Sequence, residues 1–332
     1  MTRSTLTGRR NVAMQLIGEP PGRIAPADEL VNSFEFEAMA KRKLDSITFA
    51  QVAAGERRAF DRITFRPRMM VNTTKLDLTS ELFGQQMFAP ILVGPVSQLK
   101  RFHPEGDLAM ARGAAAAKAI MVVSDRSSYP VDEIAKEPNT MLWYQVYPEA
   151  DIDAVRGRAQ KAAAAGCKAI CLTVGVPSQP EVSWDWGAID RFRQGLTTPL
   201  VLKGVMTVDD AQSALKHGIQ GLVVSNYSGS SNNAMAASIE VLPAIADAVG
   251  GRIPVLADGG FRRGGDALMA LALGAKAVLV SRPAVWGLAP YGADGVQRLM
   301  EMLQTELGRA MAMNGRPTLK SIDKTVVKIH RW

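Results

Sequence analysis

Cysteine and histidine are scarce in this chain of 332 residues, which holds two of the first and three of the second. A disulfide framework or a zinc site needs more such residues, at fixed spacings. Cys167 and Cys171 stand in an apolar context, which is typical of buried free thiols in a reducing compartment. We therefore expect no metal centre and a cytoplasmic location.

Two further features are missing, a long apolar run and a block of basic residues. No stretch approaches the roughly 18 consecutive apolar residues of a membrane span, so none is expected. The net charge is +7, but lysine and arginine are spread along the chain, so nucleic-acid binding is not expected. A small anionic ligand is the favoured partner of this charge.

The N-terminal segment, residues 1–30, is interpreted as an arm that leads into the fold. Residues 7–11 resemble a twin-arginine export signal. The apolar segment that such a signal requires does not follow, because residues 18–22 are rich in glycine and proline. Export stays open, and residues 31–332 are predicted to form a single domain.

A strand and a helix alternate from residue 88 onward. The strands are nearly continuous apolar runs, as in parallel strands covered by helices, and the helical stretches are rich in alanine. Glycines expected to follow helix ends are Gly166, Gly218, Gly250 and Gly274. The strands are predicted over residues 88–95, 119–124, 141–147, 169–175, 199–205, 221–226, 253–260 and 277–282.

Eight units of this kind predict an α/β fold, a (β/α)₈ or TIM barrel, preceded by a lead-in helix. Such barrels routinely reach this length as one domain. Their functional groups stand at the C-terminal ends of the strands. Those eight strand ends are therefore where we expect the site.

The ends of the seventh and eighth strands indicate a phosphate. The seventh is followed by Asp258-Gly259-Gly260-Phe261-Arg262, and the eighth ends in Ser281-Arg282. Backbone N–H groups and arginines at this place form the phosphate cradle that such barrels commonly carry. A simple glycine-rich turn is the alternative interpretation.

A lysine, Lys203, stands at the end of the fifth strand among apolar residues. An ammonium inside a barrel is costly without a partner, so an electron-rich ligand is indicated, and a salt-bridged lysine is the alternative. Uncharged hydrogen-bonding groups surround the same mouth and suit the edge of a flat heterocycle. They are Ser124, Gln145, Tyr147, Thr173 and Ser225.

These strand ends resemble the FMN-dependent 2-hydroxy-acid oxidases and dehydrogenases, the family of glycolate oxidase. The similarity covers about residues 34–320, and its carriers include Phe65-Arg66-Pro67-Arg68, Phe102-His103-Pro104-Glu105-Gly106, Leu202-Lys203-Gly204-Val205, Asp258-Gly259-Gly260 and Ala270-Leu271-Ala272-Leu273-Gly274-Ala275. The resemblance implies an FMN-dependent oxidase or dehydrogenase with a small-molecule substrate. It also implies a homo-oligomer, since tetramers are usual in the family.

The resemblance further assigns residues to the cofactor. Lys203 is implied to lie near N1 and O2 of the flavin, where its charge stabilises the reduced form. The backbone of Pro95, Val96 and Ser97 is implied to face the flavin ring, and Ser124, Gln145, Thr173 and Ser225 to surround its polar edge. The ribityl chain and phosphate are implied to be held by Asp258, Gly259, Gly260, Arg262, Ser281 and Arg282.

The substrate half departs from the family pattern. There the sixth strand is followed by Ser-Asn-His-Gly-x-Arg, whose histidine takes the substrate proton and whose arginine binds the carboxylate. Here the segment reads Ser225-Asn226-Tyr227-Ser228-Gly229-Ser230. Gly175 replaces the aspartate that orients the histidine, the second arginine aligns near Glu181, and a carboxylate-binding tyrosine aligns with Gln51. Tyr147 alone is retained from that set.

No other histidine is placed to substitute, because His103, His217 and His330 stand away from the strand ends and are interpreted as structural. The coordinated loss favours a substrate other than a simple 2-hydroxy acid, with oxygen or another electron acceptor. Tyr227, Tyr147 and Lys203 are the catalytic candidates. With an ordinary pKa of about 10, Tyr227 suits a hydrogen-bond donor or a stacking surface better than a base.

Two alternatives stay open. One is a flavin enzyme without net redox change, of the isomerase type, for which Arg126 is the candidate anion-binding residue. The other is a flavin-binding protein without catalysis. Asp125 and Arg126 follow the second strand and are interpreted either as a charged pair in the site or as a surface ion pair.

Overall fold

A computed structural model describes residues 22–55, 57–175, 182, 184–227 and 236–330. Eight parallel strands close into a barrel in which each pairs with the next and the last with the first. Their bounds are β1 Ile91–Val93, β2 Met121–Ser124, β3 Leu142–Val146, β4 Ile170–Thr173, β5 Leu200–Val205, β6 Gly221–Ser225, β7 Val255–Asp258 and β8 Ala277–Val280. Each lies within a predicted range, and the predicted TIM barrel is confirmed.

Alternate residues of the strands fill the barrel interior with one apolar cluster. Trp143 of β3 is its largest member, and its indole N–H donates to Gln85 Oε1 at 2.9 Å. Gln85 belongs to a short hairpin, Ser80–Leu82 with Gln85–Met87, that packs on this cluster. One residue of each barrel strand forms a layer of this cluster: Leu92, Val122, Trp143, Cys171, Val201, Val223, Leu256 and Leu279.

Helices surround the barrel, and the predicted glycine caps are confirmed by their backbone angles. Gly166, Gly218, Gly250 and Gly274 have φ of 108°, 66°, 60° and 104°, in the left-handed region that favours glycine. The helix bounds are Ser33–Lys43, Ser46–Ala50, Arg58–Asp61, Gly106–Ala116, Val131–Ile134, Ile152–Ala164, Trp186–Arg193, Val208–Lys216, Ser238–Val249, Gly264–Ala272 and Arg282–Met313.

The lead-in helix Ser33–Lys43 supports the loop after β7. The Asn32 side chain caps it by accepting from two backbone N–H groups. The Ser33 hydroxyl then donates to the Arg262 carbonyl at 2.5 Å. The start of the described chain is thereby tied to the barrel mouth.

The C-terminal tail packs on its own chain. Its strand Val327–Ile329 pairs antiparallel with Ile63–Phe65. Arg316 is buried and donates to the Ser321 carbonyl at 3.0 Å and to the Thr325 hydroxyl at 2.6 Å. None of the helices described above has both the length and the apolar character needed to cross a membrane.

We predict that Gly264→Ala destabilises the barrel. A Cβ there would lie 2.1 Å from the Leu307 backbone N, and backbone atoms cannot move aside cheaply. The expected loss in free energy of unfolding is about 1–3 kcal/mol, measured by denaturant titration. Gly157→Ala is the matched control, because nothing lies within 4 Å of its Cβ, and it should be neutral or stabilising. Equal effects of the two substitutions would contradict the packing argument.

Candidate functional site

A cavity opens at the C-terminal end of the barrel and encloses about 1000 Å³, open solvent at its mouth included. Most of the predicted site residues line it. Ser124, Gln145, Gly260 and Arg262 are the four that lie outside its wall. The wall consists of Gln51, Val52, Pro95, Val96, Ser97, Tyr147, Thr173, Lys203, Ser225, Asn226, Tyr227, Asp258, Gly259, Ser281 and Arg282.

The strand pleat explains why polar groups meet here. Side chains two residues apart on a strand face the same way. The layer of the interior cluster described above holds one residue of each strand. The residue two positions after it therefore also faces inward, at the mouth of the barrel. Those positions hold Gly94, Ser124, Gln145, Thr173, Lys203, Ser225, Asp258 and Ser281. One periodicity thus builds both the core and the floor of the site.

Lys203 is the charged centre of this floor. It is buried, and its Nζ lies 2.8 Å from Asp258 Oδ2 and donates to Ser225 Oγ at 3.0 Å. The Ser225 hydroxyl in turn donates to Asp258 Oδ2 at 3.0 Å. Lys203 therefore forms a salt bridge within the protein, with Asp258, as the alternative interpretation predicted. Its burial alone does not require a ligand, although the ammonium also faces the cavity.

Gln145 offers an acceptor without a partner. Its Nε2 donates to Thr173 Oγ1 at 3.0 Å, while its Oε1 is buried and accepts no hydrogen bond from the described residues. A buried oxygen in this state costs about 1–3 kcal/mol, so it favours a ligand N–H. The pyrimidine ring of a flavin carries such a donor, and Gln145 fits it.

Serines extend the polar edge on the neighbouring strand. Ser97 and Ser124 place their hydroxyls 3.2 Å apart. The Ser124 hydroxyl also accepts from the backbone N–H of Arg126 at 3.2 Å. Ser124 therefore acts through Ser97 and the loop after β2, whereas Ser97 itself reaches the cavity wall.

Two arginines stand together at the far end of the cavity. The guanidinium carbon of Arg262 lies 5.2 Å from the centre of the Trp286 ring, and Arg282 donates to the Ala53 carbonyl at 3.2 Å. Burial and the neighbouring Arg282 lower the pKa of Arg262 to about 10. In the part of the chain described here, neither forms an ion pair. Two adjacent guanidinium groups without a carboxylate are suited to a phosphate.

The backbone at this end leaves room only for glycine. Gly259 has a φ of 110°, and a Cβ there would lie 2.9 Å from Asn226 Oδ1. At Gly94 a Cβ would lie 2.3 Å from the Ser281 hydroxyl. Both positions require glycine, which suits a tight turn as well as a phosphate cradle beside two arginines.

The segment 51–55 was missed by the sequence reasoning as a contributor to this end. Its carbonyls accept from the Trp286 indole at 2.8 Å, through Val52, and from Arg282, through Ala53. Arg262 reaches the Gly55 carbonyl at 3.5 Å. The segment follows short helices without strong periodicity, so apart from the alignment of Gln51 with a substrate-binding tyrosine, no pattern in the sequence indicated that it returns to the barrel mouth.

Two tyrosines form the opposite side of the cavity. Tyr227 is 49% exposed, whereas Tyr147 is buried. Burial and a hydrogen bond to the Tyr227 side chain raise the pKa of Tyr147, so its hydroxyl stays protonated at neutral pH. The Lys203 ammonium lies 5.0 Å from the centre of the Tyr227 ring. The pair can donate hydrogen bonds to a bound oxygen atom.

Asp125 and Arg126 were interpreted as an ion pair, either in the site or on the surface. Neither interpretation is correct, because the two side chains contact different partners. The guanidinium carbon of Arg126 lies 4.4 Å from the centre of the Tyr147 ring, beside the cavity. Asp125 is turned toward Arg158, 3.8 Å away, and burial raises its pKa to about 6. Adjacent residues on a strand end face opposite sides, which the sequence interpretation overlooked.

All three histidines lie away from the cavity, as predicted. His103 Nδ1 accepts from the Glu105 backbone at 3.2 Å, and burial lowers its pKa. His217 bonds to Asp190 at 2.8 Å, and His330 bonds to Thr64 at 2.8 Å. Gln51 lies on the cavity wall and Gly175 follows β4, while Glu181 and residues 228–230 lie outside the described residues.

Comparisons with known proteins agree on one family. A family model described as FMN-dependent dehydrogenase matches residues 27–185 and 176–329. Peroxisomal (S)-2-hydroxyacid oxidase GLO3 of Arabidopsis thaliana is 35% identical, over 91% of this chain and 97% of that protein. L-lactate oxidase of Nostoc sp. is 34% identical, over 90% and 98%. The crystal structure of mandelate oxidase with (S)-2-phenylpropionate is 34% identical, with a TM-score of 0.85 and coverage of 90% and 98%.

We predict that Lys203→Met weakens FMN binding by at least about tenfold, because it removes a buried cation and leaves Asp258 without its ion partner. Titration of the apoprotein with FMN, followed by flavin fluorescence, measures the affinity. Lys216→Met, an exposed lysine in the helix after β5, is the control. An affinity equal to that of the control would exclude Lys203 from the cofactor site.

Asp125 gives a prediction for pH. Its carboxyl has a pKa of about 6 in the folded protein against 3.8 ordinarily, so the unfolded chain releases the proton first. Stability therefore falls as pH rises from about 4 to about 6, by roughly 2–3 kcal/mol. Asp125→Asn should remove this loss, measured by denaturant titration at pH 4 and pH 7. If exposed Asp153→Asn changes the pH dependence equally, the burial argument is wrong.

Proposed function

Because the chain belongs to the FMN-dependent dehydrogenase family, it is an FMN-dependent oxidoreductase, and we propose that its substrate is something other than a simple 2-hydroxy acid. The observation that carries the proposal is the substrate side of the cavity. Its described wall offers two phenol hydroxyls and an ammonium but no imidazole. The substrate therefore differs from a simple 2-hydroxy acid either in the bond that is oxidised or in its shape.

Removal of a hydride from a hydroxy acid requires a base for the hydroxyl proton. Asp258 is the single carboxylate on the described wall, and it already binds Lys203 and accepts from Ser225. Tyr147 stays protonated because its pKa is raised. No described group of the wall is thus poised as the general base that a simple 2-hydroxy acid needs.

The cofactor half supports the proposal that the chemistry is still redox. Bound FMN supplies a hydride acceptor. We assign the N–H of its pyrimidine ring to Gln145 Oε1 and its phosphate to Arg262 and Arg282. Lys203 holds positive charge at the cavity floor, which favours the reduced, anionic form of the flavin. Retention of this lysine favours an oxidoreductase over a flavin-binding protein without catalysis.

Tyr227 and Tyr147 are assigned to the substrate. Their hydroxyls are paired, and Tyr227 exposes about half of its surface to the cavity mouth. Together they hold an oxygen atom of the substrate and fix its orientation toward the flavin. The Lys203 ammonium lies 5.0 Å from the centre of the Tyr227 ring and adds positive charge on the same side.

The test is anaerobic mixing of the FMN-loaded protein with substrates while the visible absorption of oxidised flavin is recorded. Glycolate and (S)-lactate should leave the band unchanged, and rapid bleaching by either would contradict the proposal. A panel of amines, and of other donors that have no hydroxyl proton to lose, should contain a reductant. Turnover only after prior reduction of the flavin would instead favour the isomerase type.

With the reductant found in that panel, we predict that Tyr227→Phe spares FMN binding and lowers the rate of flavin reduction by about tenfold or more. The reason is loss of a hydroxyl that holds the substrate oxygen. Stopped-flow absorbance measures the rate. Tyr144→Phe, a buried tyrosine outside the cavity wall, is the matched control. A full rate in the Tyr227 variant would remove this residue from the mechanism.

A further inference from the structure

Arg126, in the loop after β2, is not itself part of the cavity wall but contacts Tyr147, which is, and hydrogen bonds fix its main chain. Its backbone N–H donates to the Ser124 hydroxyl at 3.2 Å, and its carbonyl accepts from the backbone of Gln98 at 3.0 Å. The guanidinium carbon lies 4.4 Å from the centre of the Tyr147 ring, and Tyr147 lines the cavity. Stacking on this buried ring orients the planar guanidinium group.

The guanidinium group has no carboxylate partner among residues 22–55, 57–175, 182, 184–227 and 236–330. The nearest acidic residue in sequence, Asp125, faces Arg158 on the other side of the strand. Because Arg126 is exposed, its charge is solvated and needs no partner for folding. Its charge is therefore available to a bound molecule.

The other cations of the cavity are committed elsewhere. Lys203 is 2.8 Å from Asp258. Arg262 and Arg282 bond to carbonyls of the segment 51–55, at the end assigned to the phosphate. Arg126 is thus the one guanidinium of the described residues that contacts the ring of a cavity tyrosine. An anionic group entering on that side would meet it first.

We propose that Arg126 is the specificity-determining residue of this site and binds a carboxylate of the substrate beside the Tyr147 ring. The inference rests on the proposed function and names the substrate class, a carboxylate that reaches the loop after β2. The forked N–H groups of arginine match the two oxygens of a carboxylate. The paired tyrosine hydroxyls, next to this clamp, receive a second oxygen of the same molecule.

Calorimetric titration of the FMN-loaded protein tests the proposal with two probes of similar shape, phenylacetate and neutral phenylacetamide, at constant ionic strength. Phenylacetate should bind the unmodified protein. Arg126→Met, which keeps an apolar contact with Tyr147 but no charge, should weaken phenylacetate by about tenfold or more and leave phenylacetamide within about twofold. Arg126→Lys should restore part of the preference.

Arg158→Met is the matched control, because it removes a nearby arginine that faces Asp125 and Glu149 and, unlike Arg126, does not stack on Tyr147 in the described structure. Failure of the unmodified protein to bind phenylacetate would overturn the proposal. Unchanged phenylacetate binding in Arg126→Met would do the same, as would equal losses for both probes or an equal effect of Arg158→Met. Oxidation of glycolate would contradict the proposed function alone, since binding is measured without turnover.

Discussion

The inward register of the eight strands is the constraint on which the rest of this molecule depends. Because side chains alternate across a strand, a residue inside the barrel is followed two positions later by another that faces the same way. Val201 belongs to the apolar interior, and Lys203 stands above it. Leu256 and Asp258 repeat the relation two strands away, which brings the ion pair together. A slip of one residue on either strand would turn the charges outward and break the core at once.

The ion pair at the floor makes this arrangement tolerable. A buried ammonium without a counter-charge would cost several kcal/mol, and Asp258 and Ser225 provide that counter-charge and a further hydrogen bond. The protein is therefore compensated for charge on the cofactor side before any ligand binds. At the other end, Arg262 and Arg282 form no ion pair in the described structure, which suits the phosphate proposed for them. Positive charge is thus paired with a carboxylate at one end of the cavity and forms no ion pair among the described residues at the other.

Much of the fold was predictable from the sequence, as was the gathering of most candidate cofactor residues around one cavity, since both follow from short-range patterns. Apolar runs located the strands, and Gly250 and Gly274 marked helix ends because their backbone angles suit glycine. The rest depends on contacts between distant segments. The return of segment 51–55 to the mouth left no periodic signal, and the parting of Asp125 from Arg126 depends on Arg158, far along the chain. Gln145 was found as a polar group, but its unpaired oxygen is visible only in three dimensions.

The division between strands and loops has a consequence for how this protein changes over evolutionary time. Gln145, Lys203 and Asp258 lie on strands, where replacement disturbs the barrel itself, whereas Arg126 and Tyr227 follow strand ends in loops. Mutations in those loops leave the core register untouched, so selection can explore them almost independently of folding. Under the proposed function, a change of substrate requires mutations in these loops and leaves the strand residues in place.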